Sequence, residues 1–90
     1  MATEDRSSLI EYPSRFPIKV MGANHPDLEQ TVVEIALQFD PDYDRASLEL
    51  RPSSGGRYLG LTLHVTATSR EQLDGLYRAL SGHPLVKVVL

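Results

Sequence analysis

Between Arg45 and Thr68 the chain alternates apolar and polar residues in two runs, Ser47–Arg51 and Tyr58–Val65, with Pro52-Ser53-Ser54-Gly55-Gly56 between them. Alternation at period two marks strands with one buried face, and a Pro/Ser/Gly cluster between two such runs marks a hairpin loop. In the second run Leu59, Leu61, Leu63 and Val65 make one face, and Tyr58, Gly60, Thr62, His64 and Thr66 the other. Upstream, Phe16, Ile18 and Val20 alternate with Pro17, Lys19 and Met21, which predicts another strand. Pro17 cannot donate to a ladder and is expected at that strand's start.

The period changes on either side of the hairpin. Leu28, Val32, Ile35, Ala36 and Phe39 form a single stripe, so a helix is predicted from about Pro26 to Phe39. Asn24 or His25 is its expected cap, Pro26 suits its first turn, and Pro41 ends it at Asp40. After the hairpin, Leu73, Leu76, Tyr77 and Leu80 predict a second helix. Thr68 or Ser69 should cap it, with Glu71 or Gln72 completing a capping box. Gly82 is expected in the left-handed conformation at its end, and Pro84 prevents continuation. Leu85–Leu90 reads as a last strand, with Val86, Val88 and Leu90 inward. No repeat or low-complexity tract interrupts the order.

The order is β-α-β-β-α-β. Two helices with one apolar stripe each cover one side of a four-stranded antiparallel sheet. Right-handed crossovers then favour the ferredoxin-like strand order, an α+β sandwich with the first and third strands central. The third strand's leucines go under the helices. Its Tyr58/Thr62/His64 face is left open, beside Lys19 and Met21.

Composition narrows the classes of function. Ninety residues make one domain, expected to span 15–90 behind a polar arm over 1–14 that its composition makes mobile. The apolar residues of Leu9–Pro13 should pin that arm to the body. A core of this size is marginal, so self-association or a protein partner is expected. With 9 Lys+Arg against 12 Asp+Glu the net charge is −3, which gains little from the counterion release that drives nucleic-acid binding. The chain has no cysteine, which excludes disulfides, zinc–thiolate sites and cysteine nucleophiles. Neither a signal peptide nor an apolar run near the ~20 residues of a membrane span is present, so the cytoplasm is the expected compartment.

Few residues suggest chemistry. The Ser/Gly hairpin loop between Arg51 and Arg57 resembles an anion nest, but it leads into a strand rather than a helix, and a turn with two rim arginines accounts for it better. Gly56–Leu63 can be tested against the RNA-recognition signature. One ring at Tyr58, followed by Gly60 and Thr62, is not a stacking platform. Asp40, Asp42 and Asp44 imitate the start of a calcium loop, but Arg45 and Arg51 stand where it needs Gly and Glu, which leaves a solvated turn. His25, His64 and His83 sit on three elements without ligand spacing, and no base supports a serine triad. The better candidate is the loop Gly22–Asp27, where Gly22 would let a ligand approach the backbone and Asn24 and His25 would orient it beside helical N–H groups. Asp27 there would repel an anion and tolerate a zwitterion such as an amino acid. Plain helix capping competes with this reading. No cofactor or metal is implied, and no enzyme is expected.

The segments Phe16–Gly22, with Lys19-Val20-Met21-Gly22, Arg51–Tyr58, with Pro52-Ser53-Ser54, and the terminal Val88-Val89-Leu90 together resemble the YbeD-like family of small bacterial proteins of unknown function. The likeness runs from about Ile10 to Leu90. Tyr12 stands where the family usually has Phe, and Arg51 where it has Lys. The resemblance implies a ferredoxin-like fold similar to the regulatory ACT domains, which bind amino acids and associate through sheet or helix edges. It implies no established activity. Two readings follow: a non-catalytic regulatory or protein-interaction module able to sense a small metabolite, or a nucleic-acid-binding module using the open sheet.

Overall fold

The first strand, β1 (Ser14–Ala23), lies in the middle of a four-stranded sheet of order β2-β3-β1-β4. The other strands are β2 (Glu49–Pro52), β3 (Tyr58–Ala67) and β4 (Val86–Val89), and two helices, α1 (Leu28–Phe39) and α2 (Arg70–Ser81), complete the β-α-β-β-α-β order. This is a computed structural model, and it describes residues 11–90. Most of the arm expected over 1–14, including Leu9 and Ile10, lies outside the described residues. Tyr12 packs partly against the core, and Ser14 already opens β1.

All neighbouring strands run antiparallel. Alternation sets the faces. Ile18 and Val20 pair with Leu63 and Leu61, and all four are buried under the helices with Val32, Ile35, Leu73 and Leu76. The helix stripes supply the opposite wall, and Val33, off the predicted stripe, is buried with them. The ferredoxin-like sandwich is therefore the fold, with β1 and β3 central and one sheet face uncovered.

Several local expectations need correction. Pro17 is not at the strand's start but at its fourth position. Lys19 exchanges hydrogen bonds with Leu90 at 3.1 and 2.7 Å, so odd residues of β1 turn their backbone groups towards β4. Pro17 lies past that pairing, where no described strand asks it for an N–H. In β4, Val86 is buried, but Val88 and Leu90 face outward. The cause is a bulge: Gly22 pairs with Val86 and Met21 with Val88, so Lys87 is skipped and the parity reverses. Ser47, expected in the second strand, belongs to a 3₁₀ turn, Arg45–Ser47, which Asp44 caps by accepting from the Ala46 N–H at 3.0 Å.

The acidic turn is not wholly solvated either. Asp40 is buried, and its carboxylate accepts the Thr66 N–H at 2.9 Å, beyond the reach of β2. Gln72 serves the same corner, donating to the Phe39 and Thr66 carbonyls at 2.8 and 3.0 Å and accepting from Thr68 N–H at 2.7 Å. Ser69 caps α2 by accepting the Gln72 N–H at 3.0 Å, so the serine and the glutamine of the predicted box both act. Gly82, expected left-handed, has φ −83°, and its N–H stays with the helix by bonding to Arg78. The one left-handed glycine among the described residues is Gly56, φ 73°, in the hairpin turn.

Candidate functional site

On the uncovered face the strand register lays side chains in rows across the sheet. One row runs Val88, Met21, Gly60, Arg51 from β4 to β2. The next runs Leu90, Lys19, Thr62, Glu49, and Pro17 pairs with His64 beyond it. Gly60 has no side chain between Met21 and Arg51, so the first row dips at its centre. The result is a trough of about 580 Å³.

The trough is apolar at one end and charged at the other. Met21, Val88 and Leu90 are 46%, 45% and 73% exposed. Glu49 is occupied, its carboxylate 2.9 Å from His64 Nε2. Neither Lys19 nor Arg51 has a carboxylate partner among the described residues. Lys19 and Arg51 are therefore cations without an ion-pair partner, in a trough whose β2 end also carries the Glu49 carboxylate. Tyr58, 38% exposed, sits opposite Ala23 at the edge of this face.

The loop Gly22–Asp27 stands differently from its expected arrangement. Gly22 is buried, and a Cβ there would run into the Leu85 carbonyl oxygen and lie 3.0 and 3.1 Å from the Leu28 methyls. The close approach it permits is made by the protein's own backbone, not by an incoming ligand. Asn24 does not cap α1, whereas His25 serves the turn that leads into it. The cap position is Asp27, without a side-chain bond. Asn24 instead ties this loop to the hairpin turn, its N–H donating to the Arg57 carbonyl at 3.0 Å and its amide to the Gly56 carbonyl at 2.8 Å. His25 Nδ1 accepts the Asp27 N–H at 3.0 Å, and its carbonyl takes the Leu28 N–H. The two loops that looked separate in sequence are one corner, and its donors at Asn24, His25, Asp27 and Leu28 are already used.

Of the predicted open-face residues, Lys19, Met21, Tyr58, Thr62 and His64 come together as expected. Val88 and Leu90 were missed because the bulge hides their parity, and Glu49 and Arg51 because a short edge strand gives too few positions to assign a face. Among the described residues no three of His, Asp and Glu converge as a metal site would require. Among the described residues no helix is long and apolar enough to cross a membrane.

A family model described as "Protein of unknown function (DUF493)" matches residues 7–90. The chain belongs to the DUF493 family. A UPF0250 protein of Bordetella pertussis is 70% identical over 83 residues, 92% of this chain and 91% of that one. A UPF0250 protein of Ralstonia nicotianae is 64% identical over 89 residues, 99% and 92% of the two chains. These are the YbeD-like relatives that the KVMG and PSS segments resemble. The solution structure of protein HP0495 from H. pylori superposes with a TM-score of 0.78, covering 100% of this chain and 94% of that one. At 15% identity it speaks for the fold alone, and it places this DUF493 chain among ferredoxin-like sandwiches.

Proposed function

We propose that this DUF493 protein is a non-catalytic protein-interaction module that works through the open face of its sheet. The observation that carries the reading is the trough, in which Met21, Val88 and Leu90 are exposed beside Lys19 and Arg51. Clustered apolar side chains on an otherwise solvated face gain free energy when a partner removes them from water. Cations beside them select a partner with carboxylates and penalise one with like charge. The partner this chemistry fits is a protein segment that brings apolar side chains to Met21 and Val88 and carboxylates to Lys19 and Arg51. A nucleic acid would use the same cations, but the face offers one aromatic ring, Tyr58, and the chain is net negative.

Affinity capture with the purified protein, compared across variants and identified by mass spectrometry, tests this. A specific protein should be retained by the parent chain and by Glu34→Lys on the exposed side of α1, and lost with Met21→Glu and with Lys19→Glu/Arg51→Glu. Retention that ignores the trough variants, or that nuclease treatment abolishes, overturns the proposal.

A further inference from the structure

Of the sheet's two edge strands, β2 is four residues long and exposed throughout. Its backbone polarity follows from the ladder. Odd residues of β1 turn towards β4, as the Lys19–Leu90 and Ala23–Leu85 bonds show, so even residues turn towards β3. Ile18 pairs with Leu63, which points the odd residues of β3 back at β1 and its even residues at β2. The pairs Glu49–Thr62 and Arg51–Gly60 therefore carry the β2–β3 bonds, consistent with the Ser53 N–H donating to the Tyr58 carbonyl at 2.9 Å. Leu50 is left with its N–H and its carbonyl pointing away from the sheet. Its side chain lies on the helix side, opposite Leu61, yet is 47% exposed because neither helix reaches the edge.

We infer that β2 pairs antiparallel with the β2 of a second copy of this chain, about a two-fold axis through Leu50, joining two sheets into one. The sequence around that axis is self-complementary. Leu50 faces its symmetry mate and exchanges both backbone hydrogen bonds with it, as opposed residues of a hydrogen-bonded antiparallel pair do. One residue out on each side, Glu49 faces Arg51 of the other copy and Arg51 faces its Glu49. Opposite charges directly across an antiparallel pair stabilise it, and like charges there oppose it. The two leucines cover each other on the helix side, where each is now half in water. A two-fold interface needs such self-complementarity, because the same patch serves both subunits.

The ladder is short, which sets its strength. One step further out Leu48 meets Pro52, which has no N–H, and the Leu48 N–H is already bonded to Arg45. Association then rests on Leu50 and the two charge pairs and is reversible and concentration-dependent. This inference concerns the sheet's edge, but Arg51 serves both the edge pair and the trough, so the Met21 variant tests the trough without touching the edge. The joined sheet would also set two troughs side by side on one continuous face.

Sedimentation equilibrium over a concentration series tests it, with circular dichroism to show that each variant folds. The parent chain should reach dimer. Glu49→Arg and Arg51→Glu, each creating two like-charged pairs across the axis, should each weaken dimerisation at least about tenfold. The double reversal Glu49→Arg/Arg51→Glu restores both pairs and should recover most of that loss. Leu50→Lys should leave a folded monomer. A parent chain that stays monomeric at NMR concentrations overturns the inference. So does a dimer indifferent to the single reversals, or a double reversal no better than either single.

Discussion

Replacing Gly22 with alanine separates two accounts of one residue. If Gly22 serves a ligand's approach to the backbone, a methyl group there should cost the fold almost nothing. The structure requires the opposite. The added Cβ would meet the Leu85 carbonyl, which is backbone at the entrance to β4, and two methyls of Leu28, which is fully buried. The carbonyl cannot swing aside cheaply, because it accepts the Ala23 N–H at 3.3 Å. Overpacking of this kind costs about 1–3 kcal/mol, and weakening one hydrogen bond adds about 0.5–1.5 kcal/mol. Restricting the unfolded chain returns about 0.4–1 kcal/mol. The middle of each range gives a net loss of about 2.3 kcal/mol, a fall in Tm of roughly 9–18 °C for a domain of this size.

Thermal and urea unfolding followed by circular dichroism measure that loss directly. Gly60→Ala is the internal control, since its Cβ would come no closer than 3.4 Å to any atom, the Arg51 carbonyl oxygen. It should stay within about 0.5 kcal/mol of the parent. A Gly22→Ala protein as stable as the parent, or a Gly60→Ala protein equally damaged, would refute the packing argument.

Other substitutions test other parts of the structure. Leu61→Ala empties a site 2% exposed at the sheet's centre and should cost about 2–5 kcal/mol in urea unfolding. Gln72→Leu strips the Phe39 and Thr66 carbonyls and the Thr68 N–H of their partner, and should cost about 1–3 kcal/mol with the helix content kept. Burial pushes the Tyr43 phenol's pKa up, offset only in part by the nearby Ser47 hydroxyl, whose own hydrogen bond goes to the Asp44 carbonyl. The folded state therefore holds that proton more tightly than the unfolded chain. Its contribution is complete below about pH 10 and is lost as pH rises through the raised value. Tyr43→Phe should unfold no more easily at neutral pH and should lose less stability in alkali. Tyr77, whose pKa burial also raises, keeps part of the alkaline slope.

Much of this fold can be read from the sequence because its signals agree. Leu59–Val65 has one period, one buried face and one hairpin partner, and Ser69 with Gln72 states where α2 begins. The errors fall where a single residue changes the count. The skipped Lys87 turns Val88 outward, and no alternation in an all-apolar run discloses a bulge. The burial of Asp40 depends on a contact 26 residues away in the chain, which no local pattern carries. The corner formed by Asn24 with Gly56 and Arg57 has the same origin. The site was half legible: the β1 and β3 contributions follow from alternation, whereas those of β2 and β4 depend on register at the sheet's margins.

The claim that the open face is the working surface is tested most directly inside the cell of origin. A photo-activatable residue placed singly at Met21, Val88 or Thr62, and for comparison at Glu34 or Asp74 on the helix side, reports which face touches another protein. Crosslinks to one common partner protein are expected from the Met21, Val88 and Thr62 positions and not from the Glu34 or Asp74 positions. Crosslinks to that partner from the helix side alone would contradict it.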